Sequence, residues 1–270
     1  MSAEYISYPP RPTGGETSND TRLHVLIFFV PGNPGLIGYY EPFLSALRDL
    51  IDSSPSINIP EESGISFHIY GQNLRGFSDN DHEPFTSCRK PYNLEQQIEH
   101  TLRGLSSQRI RVPGPEDNYK LFDRVLLIGH SVGSFIALEI CHRVLQDPAL
   151  APDLNGRLNS GILLFPTIDH IADSPSGQKL NLLRQTPLLG ANAYRIAQGF
   201  LHLWPYGMLH GFVSRVLGFP PHAADITTRW LKSRDGVWQS LHLGMGIYSY
   251  SPFLCLTILI FAPNSPPDVN

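Results

Sequence analysis

Ser131 stands in the run Gly129-His-Ser-Val-Gly133, between an apolar branched stretch (Val125 to Ile128) and a segment with helical spacing. A serine held on a sharp strand-to-helix turn exposes its hydroxyl for attack on a carbonyl carbon, and glycines on either side keep Cβ atoms out of the crowded backbone. The helix N-terminus beneath it offers free N–H groups and a positive dipole end, which favour the oxyanion that such an attack creates. The bare five-residue pattern is weakly specific in a chain with 23 glycines, so its context carries the argument. Downstream, Glu139, His142, Arg143 and Gln146 fall at i, i+3, i+4 and i+7 as one polar stripe on an otherwise apolar helix. The competing reading is a tight strand-helix turn with an idle serine.

An attacked carbonyl needs two donors. In α/β-hydrolases the first is the backbone N–H of the residue after the nucleophile, here Val132, and the second comes from a loop after an earlier strand. Leu23 to Val30 is a continuous β-branched and aromatic run that stops at Pro31-Gly-Asn-Pro-Gly35. Pro31 and Pro34 have no N–H, which leaves Gly32, Asn33 and Gly35 as donors, and loop position favours Asn33. A plain turn between strand and helix is the alternative.

The elements that must position these residues follow in order. Leu36 to Ile51 reads as a helix with Tyr40, Phe43, Leu44, Leu47 and Ile51 on one face; Ile65 to Tyr70 is a strand that runs into a glycine turn, Asn73 to Ser78. Tyr92 to Leu105 is helical and Pro113-Gly-Pro115 precedes the elbow strand; Gly161 to Phe165 supplies one more strand. Strands alternating with helices predict a mostly parallel α/β sheet whose carboxyl edge gathers Asn33, Ser131 and the segment Pro166 to His170. From Asp173 to His242 leucine- and aromatic-rich helical stretches are broken by prolines and glycines, which predicts a helical cap. Its Trp204, Tyr206, Trp230 and Trp238 suit a boundary between lipid and water, or equally a cap packing on its own core.

The whole chain sets outer bounds. With 270 residues and 41% hydrophobic content it can bury one large core. A net charge of −4 leaves no basic footprint, so nucleic acid is not an expected partner. Cys88, Cys141 and Cys255 are odd in number and lack metal-ligand spacing, which predicts reduced thiols and no metal site. Residues 1–22 hold several prolines and glycines without an apolar signal core and are expected to be a flexible segment. The expected organisation is that segment, a core over 23–172, a cap over 173–243 and an apolar tail over 244–270.

The run ending in PGNPGLIGYYEPFL, the LEQQIEH segment, GHSVG and LLFPTI together resemble the lipid droplet-associated hydrolase family, a branch of the α/β-hydrolases. The resemblance implies an α/β-hydrolase fold with flanking helices and a cap, and a serine hydrolase of carboxylic esters, sterol or neutral lipid, with Ser131 as nucleophile. It implies a lipid ester substrate, residence at lipid droplets or the cytosolic face of the endoplasmic reticulum, and no cofactor. The alternative is a lipid-surface binding protein that keeps the fold but has weak chemistry or none.

A serine nucleophile also needs a histidine base and a carboxylate to orient it, in the order Ser, acid, His in this fold. The family carries its histidine near the C-terminus, yet Gly244 to Pro267 contains no histidine and no charge. His170, His242 and, as acid, Asp169 are the stand-ins. The tail points to a replaced C-terminus, with the final strands and C-terminal helix missing; a membrane tail is the rival reading, although Phe253 to Ala262 is short of the roughly 20 residues a span needs.

Overall fold

The computed structural model describes residues 4–10, 22–54, 64–112, 118–166, 198–201 and 203–250. Seven strands are numbered β1 Tyr5–Tyr8, β2 Leu23–Val30, β3 Ile65–Gln72, β4 Ile110–Val112, β5 Asn118–Lys120, β6 Arg124–His130 and β7 Leu158–Leu164. The helices are α1 Glu41–Ser53, α2 Leu94–Ser106, α3 Val132–Gln146, α4 Tyr206–Gly211, α5 Pro221–Leu231 and α6 Gly236–Tyr250.

The main sheet has the order β1-β3-β2-β6-β7, with β3, β2, β6 and β7 parallel and β1 antiparallel at the edge. Period-two alternation in β2 divides its side chains between two cores. Leu26, Phe28 and Val30 join α2 and α3 through Ile98, Leu105, Ile136 and Ile140. Ile27 and Phe29 join Ile69, Ile128 and the Leu44 and Ile51 face of α1. Helices on both faces explain why these strands are continuously apolar.

The expected helix from Leu36 is broken into a 3-10 turn, Ile37–Tyr40, and then α1. Pro42 is the reason: lacking an N–H, it is tolerated in the first helical turn and so marks a new start. α2 begins at a capping box in which Asn93 Oδ1 accepts the Gln96 N–H at 2.9 Å and Gln96 Oε1 accepts the Asn93 N–H at 2.9 Å. β4 and β5 form a hairpin that the sequence reading missed.

Within the segment expected to be flexible, Tyr5–Tyr8 instead pairs with β3, and Asn73 N–H donates to the Glu4 carbonyl at 2.9 Å. Ile6 is buried there and Tyr5 stacks on Tyr70, so one apolar residue and one ring suffice to hold a four-residue edge strand. The core-cap boundary expected at 173 lies outside the described residues, as do Phe253–Phe261. α6 runs across the boundary expected at 243/244. Among the described residues no helix is long and apolar enough to cross a membrane.

α4 and a π-helical turn at Phe212–Val216 pack on α5, and α5 and α6 in turn hold the segment that follows β2. His222 Nε2 contacts the Gly38 carbonyl at 2.7 Å, Tyr39 and Thr227 hydroxyls lie 2.8 Å apart, and Asn33 Nδ2 donates to the Ser240 carbonyl at 3.0 Å. This layer therefore sits at the carboxyl edge of the sheet.

Candidate active site

β6 ends at His130 and α3 begins at Val132, so Ser131 alone makes the turn, at φ 53° and ψ −122°. A non-glycine residue in that region costs about 1–3 kcal/mol and persists only where its surroundings hold it. Here the Ser131 N–H donates to the Leu164 carbonyl at 2.9 Å, and Ser134 Oγ donates to the Gly129 carbonyl at 2.7 Å. Both flanking glycines are required sterically. A Cβ on Gly129 would lie 2.4 Å from the Gly133 oxygen, and one on Gly133 would lie 2.2 Å from the Val30 oxygen.

The glycine loop after β2 lies against this turn. Val30 pairs with Gly129 across the sheet, and a Cβ on Gly32 would come within 3.2 Å of Ser131 Cβ and 2.9 Å of His130 Nδ1. Of the three donors the loop offers, the Gly32 N–H is engaged: it donates to Tyr40 Oη at 3.0 Å. Tyr40 Oη in turn lies 2.9 Å from His130 Nδ1. Burial pushes the His130 pKa down, which favours the neutral ring with Nδ1 as acceptor. Gly35 is wedged against Leu74, whose N–H it accepts at 2.8 Å. Asn33, Val132 and Ser131 are thus brought to one edge of the sheet. Sequence reasoning missed Tyr40 and His130, although the GYY run and the second residue of GHSVG carried them.

Asp169 and His170 lie outside the described residues. His242 is half-buried on α6, two residues beyond the Ser240 carbonyl that holds Asn33; burial and then Lys90 lower its pKa. His82, absent from the sequence reading, is among the described residues the histidine held by two carboxylates. Its Nδ1 lies 2.5 Å from Asp81 and its Nε2 3.2 Å from Asp235. With both ring nitrogens against carboxylates it has no free nitrogen to take a proton from a serine.

A family model described as lipid-droplet associated hydrolase matches residues 23–246. The lipid droplet-associated hydrolase of Pongo abelii is 31% identical over 68% of this chain and 49% of its own length. That of Mus musculus is 32% identical over 57% and 41%, and that of Dictyostelium discoideum 25% over 70% and 51%. The chain spans about half the length of the relatives it matches. Among solved structures, juvenile hormone epoxide hydrolase from Bombyx mori has a TM-score of 0.50 at 10% identity, covering 97% of this chain and 62% of that one. A peroxisomal α/β-hydrolase of Saccharomyces cerevisiae has 0.50 at 12%, covering 93% and 69%. These two likenesses speak to fold, and the fold is that of the α/β-hydrolases. The family match extends from β2 into α6 and takes in the glycine loop and the elbow: the chain belongs to the lipid-droplet associated hydrolase family.

Proposed function

We propose that this chain is a serine hydrolase of carboxylic esters of sterols or neutral lipids, working at the surface of lipid droplets and the cytosolic face of the endoplasmic reticulum. Ser131 is the nucleophile, and the backbone N–H groups of Val132 and Asn33 hold the oxyanion. The observation that carries the reading is the Ser131 backbone at φ 53°, held by Gly129 and Gly133 at contacts no larger residue could make. Strain of that kind on a serine at a helix N-terminus serves to aim its hydroxyl. Val132 opens α3, so its N–H has no carbonyl one turn earlier to receive it, and with the Gly32 N–H held by Tyr40 loop position favours Asn33 over Gly35 as the second donor.

In the reaction, Ser131 Oγ attacks the ester carbonyl carbon while its proton passes to a base; the oxyanion forms between Asn33 and Val132, and its collapse expels the alcohol. Water then releases the acid from the serine ester by the same path. Among the described histidines, His242 is the one proposed for the base, because it rides on the helix that touches Asn33.

The test is fluorophosphonate labelling with measurement of ester turnover. Labelling at Ser131, lost together with turnover in Ser131→Ala, is expected. Turnover unchanged in Ser131→Ala, with no label on the parent, would overturn the enzyme reading. A second reading, a lipid-surface binding protein with weak chemistry or none, is favoured by one observation: His82, which lies against two carboxylates, has both ring nitrogens taken and none left for a serine.

A further inference from the structure

We propose that the outer face of α4 and its π-helical extension is the surface on which the protein docks to a phospholipid-coated lipid surface, with Leu203, Met208, Phe212 and Val216 entering the acyl layer. The proposal rests on the lipid-surface reading above and assigns it a place in the fold.

From Tyr206 to Val216 the chain is helical throughout, first as an α-helix and then as a π-turn closed by the Leu217 N–H on the Phe212 carbonyl at 3.1 Å. It is apolar on two sides. One side is already used: Leu209 and Val213 are 3% and 0% exposed, and the segment packs on α5. The other side is open to solvent, with Leu203 81%, Met208 62% and Val216 68% exposed and Phe200, Phe212, Leu217 and Phe219 beside them. Large apolar side chains contiguous on one face, rather than scattered singly, mark a contact surface.

Charge selects the occupant. Between Asp173 and Asp225 the sequence has no Asp or Glu, but it has Lys179, Arg184, Arg195 and Arg215. Arg215 is exposed within the apolar stripe itself. Asp225, the acid that ends this run, is neutralised by Arg229 at 2.8 Å and accepts the Tyr206 hydroxyl at 2.7 Å. An apolar stripe that carries an exposed cation, Arg215, and amphipathic rings, Trp204 and Tyr206, is the composition that lies in a lipid interface, with the cation at the phosphates and the rings at the boundary. The layer carrying it is fastened over the glycine loop by Asn33 and His222, so docking this face sets the carboxyl edge of the sheet close to the lipid.

The experiment is co-flotation of the full chain with phosphatidylcholine vesicles, with vesicles that also contain phosphatidylserine, and with a triolein emulsion coated with phosphatidylcholine, alongside light scattering for oligomeric state. The parent is expected to float with the coated emulsion and with the phosphatidylserine vesicles. Leu203→Ser combined with Met208→Ser and Val216→Ser should lower the bound-to-free ratio on the order of 100-fold, and Leu203→Ser alone about tenfold. Arg215→Gln should lose about fivefold on phosphatidylserine vesicles only. Leu50→Ser, which removes another exposed leucine, on α1, should change nothing. Unfolding midpoints matched to the parent confirm that the variants are folded; if the triple variant is not, the single Leu203→Ser decides.

A folded Leu203→Ser or triple variant that floats like the parent overturns the docking face and leaves the lipid-surface reading standing. A parent that floats with nothing overturns both, while fluorophosphonate labelling of Ser131 still reports separately on the hydrolase. A parent dimer dissociated by the triple variant assigns the face to a second copy and overturns the lipid assignment.

Discussion

The backbone N–H of Gly32 donates to the hydroxyl of Tyr40 at 3.0 Å. Because that hydroxyl also meets His130 Nδ1 at 2.9 Å, it fastens the loop after β2 to the residue preceding Ser131. In the proposed reaction Tyr40 is a positioning residue: by holding Gly32 it steadies the loop that carries Asn33, the proposed oxyanion donor. Tyr40→Phe keeps the ring against Phe29 but frees the Gly32 N–H, so kcat should fall about tenfold with KM nearly unchanged, as expected when an oxyanion donor is misplaced rather than removed. Steady-state ester kinetics check this. A raised KM with kcat unchanged would mean instead that Tyr40 contacts the substrate.

Gly133 and Gly156 separate steric need from backbone preference. A Cβ at Gly133 meets two backbone oxygens, Val30 at 2.2 Å and Pro31 at 2.5 Å, neither of which can move without shifting β2. Gly133→Ala should cost about 3 kcal/mol of stability and abolish labelling of Ser131. Gly156 has φ +70° but nothing within 4 Å, so Gly156→Ala should cost about 1 kcal/mol and leave labelling intact. Denaturant unfolding with a labelling time course distinguishes the two.

The buried cluster around His82 makes stability depend on pH. Burial alone would lower the His82 pKa, but the hydrogen bond and charge of Asp81, with the charge of Asp235, outweigh it against Arg234, and the net shift is upward. Both ring nitrogens face acceptors, a geometry that only the protonated ring satisfies. A raised folded-state pKa contributes stability that is fully present below the unfolded value of 6.5 and is lost as pH rises through the folded value. Thermal midpoints should therefore decline as pH climbs above about 6.5, and His82→Gln should flatten that decline. Asp79, whose carboxylate accepts the Arg234 and Asp235 N–H groups, completes the cluster and keeps the loop joined to the start of α6 in either protonation state.

How far the sequence was legible follows from the range of each interaction. β2, β6 and α3 were readable because their signals are local: the unbroken apolar run from Val25 to Val30, a glycine flanking the serine on each side, a polar stripe at helical spacing. The turn at Ser131 was readable for the same reason, while the two prolines only narrowed the loop amides among which Asn33 is the proposed donor. The His82 cluster was not, because its second carboxylate is 153 residues away in sequence and neither residue belongs to a motif. Pro221 at the head of α5 and the π-turn before it were likewise obscured by Gly-Phe-Pro-Pro, which reads as a break although the chain resumes a helix at once. Tyr5–Tyr8 is too short to show a period.

The side chain of Asn33 offers a way to tell a backbone oxyanion donor from a side-chain donor. Asn33 Nδ2 already donates to the Ser240 carbonyl at 3.0 Å, so the amide group faces α6 and only the main-chain N–H is available to a substrate oxygen. If the backbone is the donor, Asn33→Ala keeps it; fluorophosphonate labelling of Ser131 should slow by less than about tenfold, which is below the 10²- to 10³-fold loss caused by deleting a side-chain oxyanion donor. Stability should fall by about 1 kcal/mol, the net worth of one hydrogen bond between the loop and α6. A labelling rate reduced a hundredfold or more, with the unfolding midpoint unchanged, would reverse the assignment: the carboxamide would have to leave Ser240 in the reacting complex, and α6 would be free to shift with it.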